Sequence, residues 1–159
     1  MHLIKDISDT LIDILHQISD EEYCRPVAIL EQQTIGQQVR HVVEHWQILI
    51  DNYDSKCIHY AKRKREITIE QHKHIAIHLL QTLQLAYNKK DIELTIVSID
   101  ESSTFTSSYF RELDVVTEHI IHHAAIIRMA ILSLDLKIKM PANFGYAPST
   151  IIYKQQCAR

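Results

Sequence analysis

Apolar residues recur at helical spacing along most of the chain. Leu3, Ile7, Leu11, Ile14 or Leu15, and Ile18 share one face and predict a first helix over residues 2–18. Ser19-Asp20-Glu21-Glu22 has the form of a capping box, so a short helical turn is expected to start there. Arg25-Pro26 ends it, because the residue before a proline avoids the α region. Thr34-Ile35-Gly36-Gln37 is a second capping box, opening a helix to about Ser55 with Ile35, Val39, Val42, Trp46, Leu49 and Tyr53 as its stripe. A polar, basic connection over residues 56–67 is long enough to cross over the other helices. Thr68-Ile69-Glu70-Gln71 repeats the capping pattern before a third helix to about Tyr87, its stripe Ile69, Ala76, Leu79, Leu80, Leu83 and Tyr87.

The period then changes. Ile92 to Val97 alternates and is β-branched, as a strand should be, and Thr104-Phe105-Thr106 reads as a short return after a turn at Asp100 to Ser103. Ser107 or Ser108 caps a last helix to about Leu134, in which Val116, Ile120, Ala124, Ile127, Ile131 and Leu134 line up. The tail holds Pro141, Gly145 and Pro148 and is expected to be mostly irregular, while Phe144, Tyr146, Ile151, Ile152 and Tyr153 bring it back against the helices. The pattern as a whole predicts an all-α fold. It is a single four-helix-bundle domain over residues 1–159, with a long crossover connection and a small β-hairpin or extended excursion before the last helix.

Composition agrees: 46% of the 159 residues are hydrophobic, with only two glycines and three prolines. A net charge of −3 offers no basic field for nucleic acid, and Lys62-Arg63-Lys64-Arg65 reads as a solvated connection. Cys24, Cys57 and Cys157 lie far apart with no C-x-x-C, which fits a reducing compartment and argues against a thiolate zinc site. The first residues mix apolar positions with Lys5, Asp6, Asp9 and Asp13, unlike a secretory leader. Arg128 interrupts the longest apolar run, so no membrane span is expected and the location should be cytoplasmic.

The candidate chemistry is in the histidines. His119 and His123 stand one turn apart on the flank of the last helix's stripe, and His122 points outward. His41 and His45 hold the same offset on the second helix. His74 and His78 lie opposite their stripe and read as a solvated face. Two helices that each offer an i, i+4 pair suggest a metal site; hydrogen-bonded helix histidines are the alternative. Three neutral imidazoles would leave a divalent ion open to water or substrate, and donors of this kind suit zinc, nickel, iron or copper. Glu112, two turns before His119 on nearly the same azimuth, is a candidate hydrogen-bond acceptor behind a ligand or a proton carrier; a first-turn glutamate favoured by the helix dipole is the other reading. His41-Val42-Val43-Glu44-His45 matches H-x-x-E-H, but those proteases are far larger. Glu-x-x-His pairs for a di-iron centre are missing from these helices, and no C-x-x-C-H supports haem.

Thr34-Ile35-Gly36 leading to His41, His119-x-x-x-His123 on the last helix, and the tail segment Phe144 to Thr150 together resemble the DinB-like (DinB/YfiT) family of metal-dependent enzymes over nearly the whole chain. The resemblance implies a four-helix bundle, commonly a homodimer, with a zinc or nickel ion held by His41, His119 and His123. His45 then falls among the pocket-lining or supporting residues. Many relatives follow the last ligand with His-Arg-Gly-Gln, where this chain has Ala124-Ala125-Ile126, so no role passes to Arg128. The implied activity is that of a transferase or hydrolase acting on a low-molecular-weight thiol or its conjugates. A non-catalytic metal- or ligand-binding bundle and a plain interaction module are the alternatives. No nucleic acid or membrane partner is expected.

Overall fold

The structure, a computed structural model, describes residues 2–157. Helix α1 (His2–Gln17) buries Ile4, Leu11, Ile14 and Leu15 and turns at Ser19 into α2 (Asp20–Cys24). The Ser19 Oγ accepts the Glu22 N–H at 3.1 Å while the Glu22 carboxylate accepts the Ser19 N–H at 2.7 Å, a complete capping box. A 3₁₀ turn at Ala28–Leu30 leads to α3 (Ile35–Asp51), opened by the same reciprocal pairing between Thr34 and Gln37. After it come β1 (Cys57–Ile58), a 3₁₀ turn at Tyr60–Lys62, α4 (Ile67–Gln71) and α5 (Lys73–Ala86). Strands β2 (Glu93–Val97) and β3 (Thr104–Ser108), helix α6 (Tyr109–Ser133) and α7 (Pro148–Cys157) complete the chain.

The all-α expectation is corrected. Among the described residues a three-stranded mixed sheet, in the order β1-β2-β3, stands beside seven α-helices, so the fold is mixed though mostly helical. Strands β2 and β3 form an antiparallel hairpin with Leu94 opposite Ser107 and Ile96 opposite Phe105. Strand β1 joins β2 in parallel, Cys57 opposite Thr95 and Ile58 opposite Ile96. It comes from the connection read as an unstructured crossover. Two residues are too few to show alternation, and a parallel partner nearly forty residues away leaves no local trace.

Two further differences have local causes. The third helix starts at Ile67 instead of Thr68, because the Glu66 carboxylate accepts from the Thr68 N–H and hydroxyl. It also breaks at His72, whose backbone is extended (φ −128°, ψ 95°). The carbonyls left over at that break are taken from outside: Tyr23 donates its hydroxyl to Ile69 O at 2.8 Å, and the Cys24 thiol faces Glu70 O and Gln71 O. The tail is helical where an irregular segment was expected, forming α7 after Pro148, a residue suited to a first helical position.

The core lies where α3 meets α6, α5 and α4, and where α1 meets α5 and α6. Trp46, Tyr23 and Tyr109 are its largest fully buried side chains. By length and hydropathy α6 could pass for a membrane span, but half of that window is buried inside the protein, as a central core helix requires. The Arg128 guanidinium donates to the carbonyls of Pro141 and Ala142 and faces the Tyr146 ring, so it holds the tail against α6. Gly145 (φ +76°) lies so close to α6 that a Cβ would meet the Ala125 backbone at 2.6 Å.

Gly36 sets the approach of α4 to α3. A Cβ there would stand 2.2 Å from the Glu70 carbonyl oxygen and 3.0 Å from Tyr23 Cε1, in a place where backbone blocks retreat. Gly36→Ala is expected to lower stability by about 1–3 kcal/mol, the usual cost of overpacking. Urea denaturation reads this as a reduced midpoint; an unchanged midpoint would mean that α4 can step away freely.

Candidate metal centre

Helices α3 and α6 lie side by side with Val39, Val42 and Val43 of one and Ile120 and Ala124 of the other buried in the core. Residues one turn apart along each helix share a face, so this packing brings His41 of α3 against His119 and His123 of α6. The His41 ring centroid lies 4.8 Å from that of His119 and 4.5 Å from that of His123, and the latter two are 4.6 Å apart. One ring nitrogen from each lies within 4.8 Å of the others, an arrangement able to hold a metal ion. His41 and His119 are half-buried, and His123 is buried.

Each ring has its own constraint. His123 Nδ1 donates to the Gln38 side-chain oxygen at 2.8 Å, which leaves the Nε2 lone pair free for a ligand bond. His119 Nε2 is buried with no hydrogen-bond partner. Such an orphaned nitrogen costs free energy in a dry site, and a ligand bond would remove the cost. His41 Nε2 accepts from Arg63 Nη1 at 3.3 Å. That lone pair serves one partner at a time, so an ion bound through it would displace the guanidinium. On donor type, convergence and the orphaned His119 nitrogen, the residues fit a divalent ion.

His45 stands behind this group. Its ring stacks on His119 (4.1 Å, 23°) and on Tyr60 (4.3 Å, 8°), and lies 6.0 Å from His41. Glu112 is buried, and its hydrogen bonds go to residues other than His119. Its two oxygens accept from the Tyr60 hydroxyl at 2.8 Å and the Ser107 hydroxyl at 2.6 Å. Glu112 therefore fixes Tyr60, and Tyr60 backs the His45–His119 stack. His122 is exposed, as are His74 and His78. An open cleft of about 450 Å³, lined by Gln33, Gln37, Gln38, Arg40, His41 and His123, reaches two of the three rings.

Three residues of this site went unmarked in the sequence reading. Gln38 precedes His41 by three positions, so the helical wheel that aligned the histidines places it on the same face. Tyr60 and Arg63 lie in the crossover. They reach the site because β1 pairs with β2 and because the Glu66 N–H donates to the buried Glu44 carboxylate at 2.5 Å. Arg63, read as one of four solvated charges, is half-buried.

Burial, first of all, lowers the pKa of each of the four rings: to about 4 in His41 and about 3 in His45 and His123, with His119 shifted the same way. The unfolded rings titrate near 6.5. Between that pH and the folded values the unfolded chain binds more protons, so the metal-free protein keeps its full stability above pH 6.5 and loses it as pH falls toward 4. Thermal denaturation of metal-stripped protein across this window should show a falling Tm; a flat profile would mean that the rings are solvated.

No protein-family profile and no solved structure matches the chain. A curated relative, named FK506-binding protein 5, from the fungus Rhizopus delemar, is 35% identical over 104 residues. The match takes in 59% of this chain, which spans about a quarter (26%) of that protein's length.

Proposed function

We propose that this chain is a metal-dependent enzyme of the kind the DinB-like resemblance implies, a thiol S-transferase or hydrolase acting on a small molecule. His41, His119 and His123 would hold the ion, zinc or nickel. The observation that carries the reading is the convergence of three ring nitrogens within 4.8 Å, the His119 nitrogen buried and without a hydrogen-bond partner. Three neutral donors, with no carboxylate or thiolate among them, leave coordination positions for a reactant, which is the habit of a catalytic site and not of a structural one.

A divalent ion held there would supply Lewis-acid chemistry, lowering the pKa of a thiol or water at its open position. The chain's own groups prepare the place. Gln38 fixes the tautomer and direction of His123 through the 2.8 Å bond. The stacked His45 and Tyr60 rings close the rear of His119 against water. Tyr60 is in turn held by Glu112. The cleft beside Gln38 and Arg40 admits a reactant from the open side. Among the described residues neither Glu44 nor Glu112 hydrogen-bonds a ring of the cluster: Glu44 accepts from the Glu66 N–H and Glu112 from Tyr60 and Ser107. That feature supports the second reading, a bundle that binds metal or ligand without turnover.

Purified protein loaded with zinc or nickel is expected to retain about one equivalent per chain after dialysis, and His119→Ala or His123→Ala to lose it, with at least a tenfold fall in affinity on the scale of a lost ligand or supporting contact. Retention by both variants would refute the site. Conjugation of a small thiol with an electrophile, faster with metal than without, separates the enzyme from the binding module.

A further inference from the structure

Arg63 is out of place for a surface cation. Its guanidinium is half-buried, forms no ion pair among the described residues, and spends Nη1 on the neutral His41 ring at 3.3 Å. Its Nε is buried without any hydrogen bond. Burial lowers its pKa, Glu44 opposes that, and Arg65 and Arg40 add to it. Arg40 pairs with Glu70 at 2.5 Å, while Glu44, the acid whose charge favours the Arg63 cation, makes its hydrogen bond to the Glu66 N–H. A half-buried guanidinium whose one hydrogen bond goes to a neutral ring, and whose Nε has none, keeps donors open to an anion in direct contact. Loading the three-His centre adds positive charge, because a divalent ion would stand beside the same His41 ring.

We infer that Arg63 recognises an anionic group, a carboxylate or a comparable oxyanion, on the substrate taken at the three-His centre. This rests on the metal-dependent reading above and names the class of its substrate: a small thiol carrying a negative charge a few bonds from sulfur. The guanidinium fork matches a carboxylate in two parallel hydrogen bonds, a geometry that a neutral imidazole cannot use. Arg63 Nη1 lies 3.3 Å from the His41 nitrogen that an ion would take, so a guanidinium displaced by the ion stays next to it, within reach of an anionic group on a molecule held there. The β1 pairing and the Glu44–Glu66 bond hold the crossover in register, so the guanidinium is presented in a fixed place. Arg63 is here a specificity-determining residue, separate from the three that would hold the ion.

The test uses the full chain loaded with cobalt(II), whose thiolate charge-transfer absorption reports binding, and two near-isosteric thiols: 3-mercaptopropionate and its methyl ester. The wild-type protein is expected to bind the acid at least about tenfold more tightly than the ester, the scale of one charge-assisted hydrogen bond. Arg63→Gln should bring the ratio of the two affinities to about one, while Arg63→Lys, which keeps the charge without the fork, should keep part of the preference. Equal affinities in the wild-type protein overturn the inference, whether or not the variants fold. So does a preference that survives in Arg63→Gln, which would come from chelation at the ion alone. Failure of cobalt to bind overturns the metal-dependent reading itself, and this inference with it.

Discussion

The structure turns on one constraint: polar side chains buried between α3 and α6 must find partners in a place with little water. Gln38, Glu44, His45, Glu112 and His123 are all buried in this part of the protein. Gln38 and His123 satisfy each other, Glu44 takes a backbone N–H, and Glu112 takes two hydroxyls. Ser8 and Thr117, the other buried polar side chains among the described residues, donate to carbonyls of their own helices, and Ser8 also accepts from Gln84. Several atoms left without a hydrogen bond border the histidine cluster: His119 Nε2, His45 Nδ1, Arg40 Nε and Arg63 Nε. A buried polar network left half-satisfied is worse than an apolar core, and the deficit is concentrated beside the three rings that could hold a metal ion.

The crossover matters more than its composition suggests. It supplies Tyr60 to the His45 ring and Arg63 to the His41 ring. Neither residue belongs to a long helix. Both depend on a two-residue strand that borrows a hairpin's edge, so the sheet, small as it is, acts on the site by fixing the path of this connection.

What the sequence could disclose follows from the range of the interactions involved. His41, His45, His119 and His123 were legible because a helix projects its faces with a known period, and two helices with matching offsets imply a meeting. The capping boxes at Ser19 and Thr34 were legible for the same local reason. Glu112 was singled out as an acceptor behind a ligand, but the partner it has could not be foreseen, since Tyr60 arrives by a contact 52 positions away in sequence. The all-α reading failed at β1, whose parallel pairing is invisible locally, and the unbroken third helix failed at His72, where Tyr23 and Cys24 take carbonyls that would otherwise continue the ladder. Arg63 looked solvated because a run of four cations usually is; one of the four is turned inward by the two anchors around it.

Those anchors make the span from Ile58 to Glu66 a closed loop, tied to β2 at one end and to α3 at the other. The number of residues between its ties, more than their hydrophobicity, decides which side chain arrives beside His41. Lengthening a surface loop of this size costs a fold little. Insertion or deletion of one residue in this stretch is therefore a route by which the charge greeting an incoming molecule can change sign or vanish while every helix keeps its place.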